Sequence, residues 1–452
     1  MAILHTWAER LKRLPQTIEC YEMILCSFDD KIIVKGSGFL EIRDAEDIGF
    51  TILVSPSESN QCFLHIAQAV NNPFECEKQL KLMVTDYEGY KWSGGWITFS
   101  EPLVIRLNKA IKGRLVSLSM HDKGGHLPSV AGVELVFDQE VNLPIALNMS
   151  TITTIGDEVI SQSREKGDYS LKVFDSEIIF SYFSSSNYLL VQATTCEELP
   201  HPYLENWLSE PLRILFGMHI YPRLVARHLG NGESIICLRP TVHRRFSASE
   251  IGLYWAYKDT VGFWSLYSGL LKYMSISKDD KGERCSDANE ITELYEHAVV
   301  AEMNGEWMLS MVLSNAVESM VKKLKNSSVS QQDSNNEKVN ISDAVSSLKK
   351  YIHQWDGDPE IRRRVLGFVS NMGDESIKKF LKKLVRDDII KEKHEEVWSK
   401  VRNHVMHGNL QLRWEPHIID QYMRSLLEMI HILTFEILRQ ERVVPVASFE
   451  KD

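Results

Sequence analysis

An arginine, an asparagine and a histidine lie close together near the C-terminus, in the segment 398–408. At about 100° per residue of helix, Asn403 lies roughly 100° and His407 roughly 140° around the axis from Arg402. Gly408 is a residue type expected just past a helix end, which places His407 on the final turn. The apolar residues fall in a separate arc of about 60° that is expected to be buried: Trp398, Val401 and Val405.

These three polar side chains have the chemistry to cut RNA without a metal ion. Cleavage needs a base for the ribose 2′-OH, a cation beside the phosphorane and a proton for the leaving 5′-oxygen. His407 can act as acid or base near neutral pH. Arg402 stays charged and its planar donors match phosphate oxygens, while Asn403 can hold the substrate or the imidazole. We therefore predict catalytic roles for these residues, with a 2′,3′-cyclic phosphate and a 5′-OH as products.

The composition predicts a soluble protein of two or three domains. The chain has 452 residues, of which 44% are hydrophobic and 25% charged, and it has no run of about 18 apolar residues that could cross a membrane. The N-terminal residues lack the order of a signal peptide. Seven scattered cysteines without any CxxC pair argue against a zinc site or a disulfide scaffold. We expect a cytoplasmic protein without metal, cofactor or membrane contact.

The residue pattern predicts an α+β multidomain fold with three parts. Residues 1–195 are expected to form a β-rich, sandwich-like domain, with a barrel-like fold as the alternative, because short β-branched runs such as 132–137, 178–183 and 188–193 alternate with Gly, Pro and polar residues. Residues 196–300 are expected to be a mostly helical linking region. Residues 301–452 are expected to form an all-α bundle with a loop at 326–340, where almost no large apolar residue occurs.

Basic residues are concentrated close to the arginine and histidine. The net charge of the chain is −11, so contact with RNA requires a local positive patch. Residues 376–402 carry nine lysines and arginines against five acids. The predicted RNA-binding residues are Lys378, Lys379, Lys382, Lys383 and Lys400. The alternative is that the run from 378 to 383 is only the solvated side of an amphipathic helix.

The hexapeptide 402–407, Arg-Asn-His-Val-Met-His, resembles the R-N-x-x-x-H signature of HEPN domains. Residues 313–320 are similar to the alanine–x–glutamate helix that opens those domains, with Glu318 as the acid. The β-rich first half followed by helices resembles the ApeA-like subgroup. The resemblance covers residues 301–452 by motif and the first half by architecture only.

The resemblance implies a function for the whole chain. Such domains dimerise so that two copies of the motif meet in one cleft and cut RNA there. Arg402 and His407 would carry catalysis, Asn403 and Glu318 would support it, and His404 could line the same cleft. The biological role would be anti-phage defence or abortive infection, with tRNA as one candidate substrate. The N-terminal domain would then respond to a phage-derived trigger.

Two other functions stay open at this point. The helical domain could only dimerise, in a non-catalytic binding or sensor protein, or the chain could be a HEPN toxin controlled by a separate partner chain. For the residues themselves, the alternative is a solvated helix face whose terminal histidine suits the helix dipole. A metal-dependent nuclease is disfavoured because the sequence has no clustered set of Asp, Glu and His ligands.

Overall fold

A computed structural model describes most of the chain. The described residues are 4, 15–43, 48–54, 56–72, 74–95, 97–99, 110–122, 130–139, 141, 143–145, 148–151, 162–183, 188–239, 247–253, 260–279, 281–285, 288–331, 335–370, 376–406 and 414–443.

The chain forms two compact units that are both discontinuous in sequence. Unit 1 comprises Met1–Leu212, His219–Arg245 and Ser275–Ala288. Unit 2 comprises Arg213–Met218, Phe246–Met274 and Asn289–Asp452. Residues 196–300, which we expected to be a separate linking region, are therefore divided between the two units.

Unit 1 contains a large antiparallel sheet, which confirms the prediction of a β-rich first half. Its strands are β1 (Gln16–Ser27), β2 (Ile32–Ile42), β3 (Ile48–Leu53), β4 (Leu80–Asp86), β5 (Lys91–Gly94), β6 (Ile97–Phe99), β7 (Ile111–Leu115), β8 (Leu118–Asp122), β9 (Gly132–Phe137), β10 (Asn148–Thr151), β11 (Gln162–Val173), β12 (Ser176–Phe183), β13 (Tyr188–Thr194), β14 (Leu224–His228) and β15 (Ser234–Leu238). Helix α1 (Pro56–Asn71) and the short α2 (Leu204–Trp207) belong to the same unit.

All described strands belong to one hydrogen-bonded order, β10-β11-β12-β13-β9-β14-β15-β8-β5-β4-β1-β2-β3-β7-β6. Alternating apolar residues mark a strand but do not specify its partner, so this order could not be predicted from the sequence, and the sandwich-like arrangement stays a prediction. The core includes Leu25 of β1, Leu40 of β2, Phe50 of β3 and Leu82 of β4, all of which are buried.

Unit 2 is helical. After α3 (Glu210–Phe216), which spans the boundary of the two units, its helices are α4 (Thr260–Ile276), α5 (Glu290–Glu302), α6 (Glu306–Gln331), α7 (Asn335–Gln354), α8 (Pro359–Ser370), α9 (Ile377–Arg386), α10 (Glu392–Met406) and α11 (Pro416–Gln440). Helix α6 packs against α5, α10 and α11, and α9 packs against α10. This arrangement confirms a helical C-terminal region without by itself identifying a family.

Helix α6 supplies the central apolar surface of this bundle. Its residues Leu313, Ala316, Val317, Met320 and Leu324 are buried, as the i, i+3, i+4 spacing predicts. Polar contacts are also buried between the helices. The Tyr295 hydroxyl on α5 lies 3.1 Å from Thr434 Oγ1 on α11, which joins two helices that are 139 residues apart in sequence at this contact.

The predicted loop at 326–340 is wrong for its described part. Helix α6 continues to Gln331, and α7 begins at Asn335. The segment is polar, but it contains neither glycine nor proline, the two residues that most strongly disfavour a helix. Low apolar content indicates exposure to solvent rather than a loop.

Gly38→Ala is expected to destabilise the pairing of β2 with β3. A Cβ at this position would lie 1.9 Å from the backbone oxygen of Thr51, so the strands would have to separate, at a cost of about 1–3 kcal/mol. The measurement is hydrogen exchange of the β2 and β3 amides together with the melting temperature.

Gly49→Ala is the matched control on β3. The nearest atoms to its added Cβ lie 3.8 Å away, which is ordinary contact, so the melting temperature should stay within about 2 °C of wild type. Equal destabilisation by both substitutions would contradict the argument from strand spacing.

Candidate active site

Helix α10 carries the arginine and the asparagine of the predicted site. Acidic residues in its first turn, Glu392 and Glu395, suit the positive end of the helix dipole. The predicted apolar residues Trp398, Val401 and Val405 are buried, and so is Val397. Asn403 is exposed and Arg402 is partly exposed. The helical periodicity of this segment therefore places the polar residues as expected.

Two contacts join α10 to α6 one helical turn apart. Trp398 Nε1 donates to the backbone oxygen of Ser314 at 3.1 Å, and this contact is buried. Four residues further along both helices, Arg402 Nε donates to Glu318 Oε2 at 3.0 Å. The tryptophan thus fixes the position of α10 at the turn before the ion pair.

The start of α10 is held by a second set of polar contacts. His394 is buried, and its Nε2 lies 3.3 Å from Glu428 Oε2 on α11. Lys391 Nζ lies 2.9 Å from Glu428 Oε1. Burial alone would raise the pKa of Glu428, but hydrogen bonds from Lys391 and His394 lower it overall. Helix α10 is therefore anchored to a neighbouring helix at both ends.

Glu318 is the acid that orients the Arg402 guanidinium. Its side chain is 17% exposed and that of Arg402 is 35% exposed. Glu318 Oε1 also lies 3.1 Å from Lys322 Nζ. Burial by itself would raise the pKa of Glu318, but hydrogen bonds from Arg402 and Lys322 and their positive charges outweigh it, so the pKa is lowered. The carboxylate is ionised at neutral pH.

The guanidinium also lies over an aromatic ring of its own helix. Arg402 Cζ is 5.5 Å from the ring centroid of Trp398, within the range of cation–π attraction. Trp398 therefore contacts Arg402 on one side and Ser314 through its indole nitrogen. Glu318 and Trp398 together restrict the plane of the guanidinium, which is the property required of a residue that must meet a phosphate in one orientation.

The remaining predicted site residues have different placements. His407 and Gly408 lie outside the described residues, so the predicted pairing of Arg402 with His407 stays a prediction. His404 is partly exposed and its ring centroid lies 4.6 Å from that of Trp414, at the start of α11. His404 is therefore on the side of α10 that faces α11, whereas Arg402 faces α6.

The five predicted RNA-binding lysines are exposed: Lys378, Lys379, Lys382, Lys383 and Lys400. Four of them lie on α9, whose opposite side is buried through Phe380, Leu381 and Leu384. Lys378 Nζ lies 3.7 Å from Glu395 Oε1. The helix therefore has the amphipathic packing of the alternative interpretation, and this packing leaves its lysines at the surface.

Lys322 and Trp414 were missed by sequence reasoning. The Glu318–Lys322 spacing of four residues is a signal that could have identified the first, because side chains at i and i+4 meet on a helix. Trp414 contacts His404 only through the tertiary fold, and no spacing rule connects them.

The described residues contain no group of three or more His, Cys, Asp or Glu side chains that could hold a metal ion. Within the same residues no helix has the length and apolarity needed to cross a membrane.

Comparison with protein-family models, curated proteins and solved structures finds no match for this chain.

Glu318→Gln is expected to destabilise unit 2 at neutral pH and to have little effect in acid. A carboxylate whose pKa is lowered by folding stabilises the fold above its ordinary pKa of about 4.3, and this contribution is lost as the pH falls through the folded value. The expected cost near pH 7 is about 1 kcal/mol, since solvent screens the partly exposed pair. Thermal unfolding of wild type and variant between about pH 7 and pH 3 measures it.

Glu360→Gln is the matched control for this substitution. Glu360 forms a 2.7 Å ion pair with Arg364 in which both side chains are more than half exposed, so its removal should change stability very little. A Glu318→Gln deficit of the same size at both ends of the pH range would contradict an ionised, stabilising carboxylate.

Proposed function

We propose that this protein is a metal-independent endoribonuclease of the HEPN type. The observation that carries the proposal is the Arg402 guanidinium, held against Glu318 at 3.0 Å, one residue before the exposed Asn403. A fixed cation beside an exposed amide on the last turns of a helix suits a phosphodiester. The predicted histidine follows on the same segment.

In the proposed reaction a general base removes the proton of the ribose 2′-OH. The 2′-oxygen then forms a bond to phosphorus, the bond from phosphorus to the 5′-oxygen breaks, and a general acid protonates that oxygen. Arg402 stabilises the charge that develops on the phosphorane. His407 supplies one proton transfer in each copy of the chain, and a second copy supplies the other when two motifs meet in a homodimer.

The same resemblance supports a role in anti-phage defence in the cytoplasm. An unrestrained ribonuclease would damage its own cell, so the β-rich unit 1 is proposed to respond to a phage-derived trigger. The substrate is RNA, with tRNA as one candidate. Cleavage through the 2′-OH excludes DNA as a substrate of this chemistry.

Arg402→Ala and His407→Ala are expected to abolish RNA cleavage in the presence of EDTA. Arg402→Ala removes the cation that contacts the phosphate, and His407→Ala removes a proton-transfer group. A loss of about 100-fold or more in the cleavage rate is typical for either change. The measurement uses wild-type protein, total RNA and an infected-cell extract as the source of trigger, and it checks the product ends for 2′,3′-cyclic phosphate and 5′-OH.

Arg43→Ala serves as the control, since Arg43 forms an exposed ion pair with Glu41 in unit 1. It should cleave like wild type. Wild-type protein that leaves RNA intact with and without the extract would overturn the nuclease in favour of a binding or sensor protein. Cleavage that persists in both site variants would assign the activity to other residues.

The double variant Lys379→Gln/Lys382→Gln is expected to bind RNA more weakly and with a smaller salt dependence. Each phosphate contact removed should reduce the slope of log K against log salt by about 0.7 for single strands. Both side chains are exposed on α9. Fluorescence anisotropy over a salt series measures the slope, with exposed Lys172 of unit 1 replaced by glutamine as the control. An unchanged slope would remove α9 from the RNA contact.

A further inference from the structure

Three aromatic rings cluster where α10 and α11 meet. The His404 ring lies 4.6 Å from the Trp414 ring at an interplanar angle of 44°. Tyr422, on the second turn of α11, lies 5.2 Å from Trp414 and is nearly perpendicular to it, at 79°. Trp414 is central, because both other rings contact it.

This aromatic cluster, His404, Trp414 and Tyr422, remains partly exposed. The residues that build the contact between α10 and α11 are instead buried, as Val405, Ile419, Met423 and Leu426 are. An aromatic cluster used only for packing would be expected in that buried layer. Here all three residues keep part of their surface in contact with solvent.

The cluster lies on the same end of α10 as the ion pair. At about 100° per residue, Asn403 falls between Arg402 and His404 around the helix axis. Asn403 is exposed, and Arg402 and His404 lie about 100° to either side of it. The axial rise from residue 402 to residue 404 is only about 3 Å. A single strand that follows the Asn403 side of α10 can therefore contact both.

We propose that the aromatic cluster is a nucleobase-stacking subsite, in which the indole of Trp414 binds an unpaired base of the RNA strand next to the phosphate at Arg402. This inference rests on the proposed function and specifies its substrate as single-stranded RNA. Bases splayed from a single strand stack on aromatic side chains, whereas bases inside a duplex are not accessible. The Tyr422 ring packs nearly perpendicular to the indole and supports it. Asn403 lies between the bound base and the phosphate and forms hydrogen bonds with the strand there.

Stacking makes a specific prediction for Trp414→Ala in the full-length protein. The affinity for a short fluorescein-labelled 2′-O-methyl RNA, which has no 2′-OH to attack phosphorus, should fall by about 5- to 100-fold. The affinity for the same sequence as a duplex should change little. Because stacking releases no counterions, the slope of log K against log salt for the variant should equal that of wild type. Fluorescence anisotropy measures all three.

Two further variants separate stacking from a structural role. Trp414→Phe keeps a flat ring and should restore most of the single-strand affinity. Trp355→Ala removes a 44% exposed tryptophan elsewhere in unit 2 and should bind like wild type. If Trp414→Ala weakens single-strand and duplex binding equally, or if Trp414→Phe fails to restore binding while its melting temperature is normal, the subsite is overturned.

The outcomes also distinguish this inference from the nuclease itself. Protein that never cleaves RNA but shows Trp414-dependent binding of single strands would retain the subsite and overturn the proposed catalysis. Protein that cleaves RNA with an unchanged KM and kcat in Trp414→Ala would retain the nuclease and overturn the subsite. An abasic substitution in the RNA that weakens wild type but not Trp414→Ala would identify the base as the bound group.

Discussion

Arg402 and Glu318 are 84 residues apart in sequence, and they meet one helical turn after Trp398 bonds α10 to α6. The indole nitrogen of Trp398 donates to a backbone oxygen that already belongs to a buried helix turn. A shift of α10 by one residue would break this bond and would rotate Arg402 by about 100° away from Glu318. The orientation of the proposed phosphate-binding cation therefore depends on a buried tryptophan.

The ion pair contributes more to orientation than to stability. Two unit charges at about 4 Å attract by about 4 kcal/mol near a protein surface, but desolvation and the ordering of two long side chains consume most of this, and exposed pairs retain about 0–1 kcal/mol. The arginine side chain is 35% exposed, so the net contribution of this pair is close to that of exposed pairs. A contact that adds little free energy yet fixes a guanidinium plane is better explained by the site than by the fold.

The local elements were more predictable from sequence than their partners. The spacing of Trp398, Val401 and Val405 predicts both α10 and its buried face, since helical periodicity is a local property. Residues 16–27, which form β1, were not among the predicted strands; a bulge between Cys20 and Glu22 shifts the register of β1 against β4 and interrupts the two-residue alternation. The contact between the His404 and Trp414 rings could not be predicted either, because it depends on how α10 and α11 meet. The polar segment 326–340 was predicted as a loop because solvent-exposed helices and loops have similar polar compositions.

The charges around Arg402 bear on how the proposed site would attract a phosphate to an acidic chain. Glu318 by itself would repel an incoming anion and compete for the guanidinium. Lys322 lies 3.1 Å from the same carboxylate, so two cations share one anion and the group keeps one net positive charge. Because Arg402 donates to Glu318 through Nε, the carboxylate is bound along that edge of the guanidinium. A phosphate would approach the opposite edge, where the terminal amino groups provide paired donors. On a protein of net charge −11, this local excess of one charge, joined by the lysines of α9, would draw RNA to one surface of unit 2.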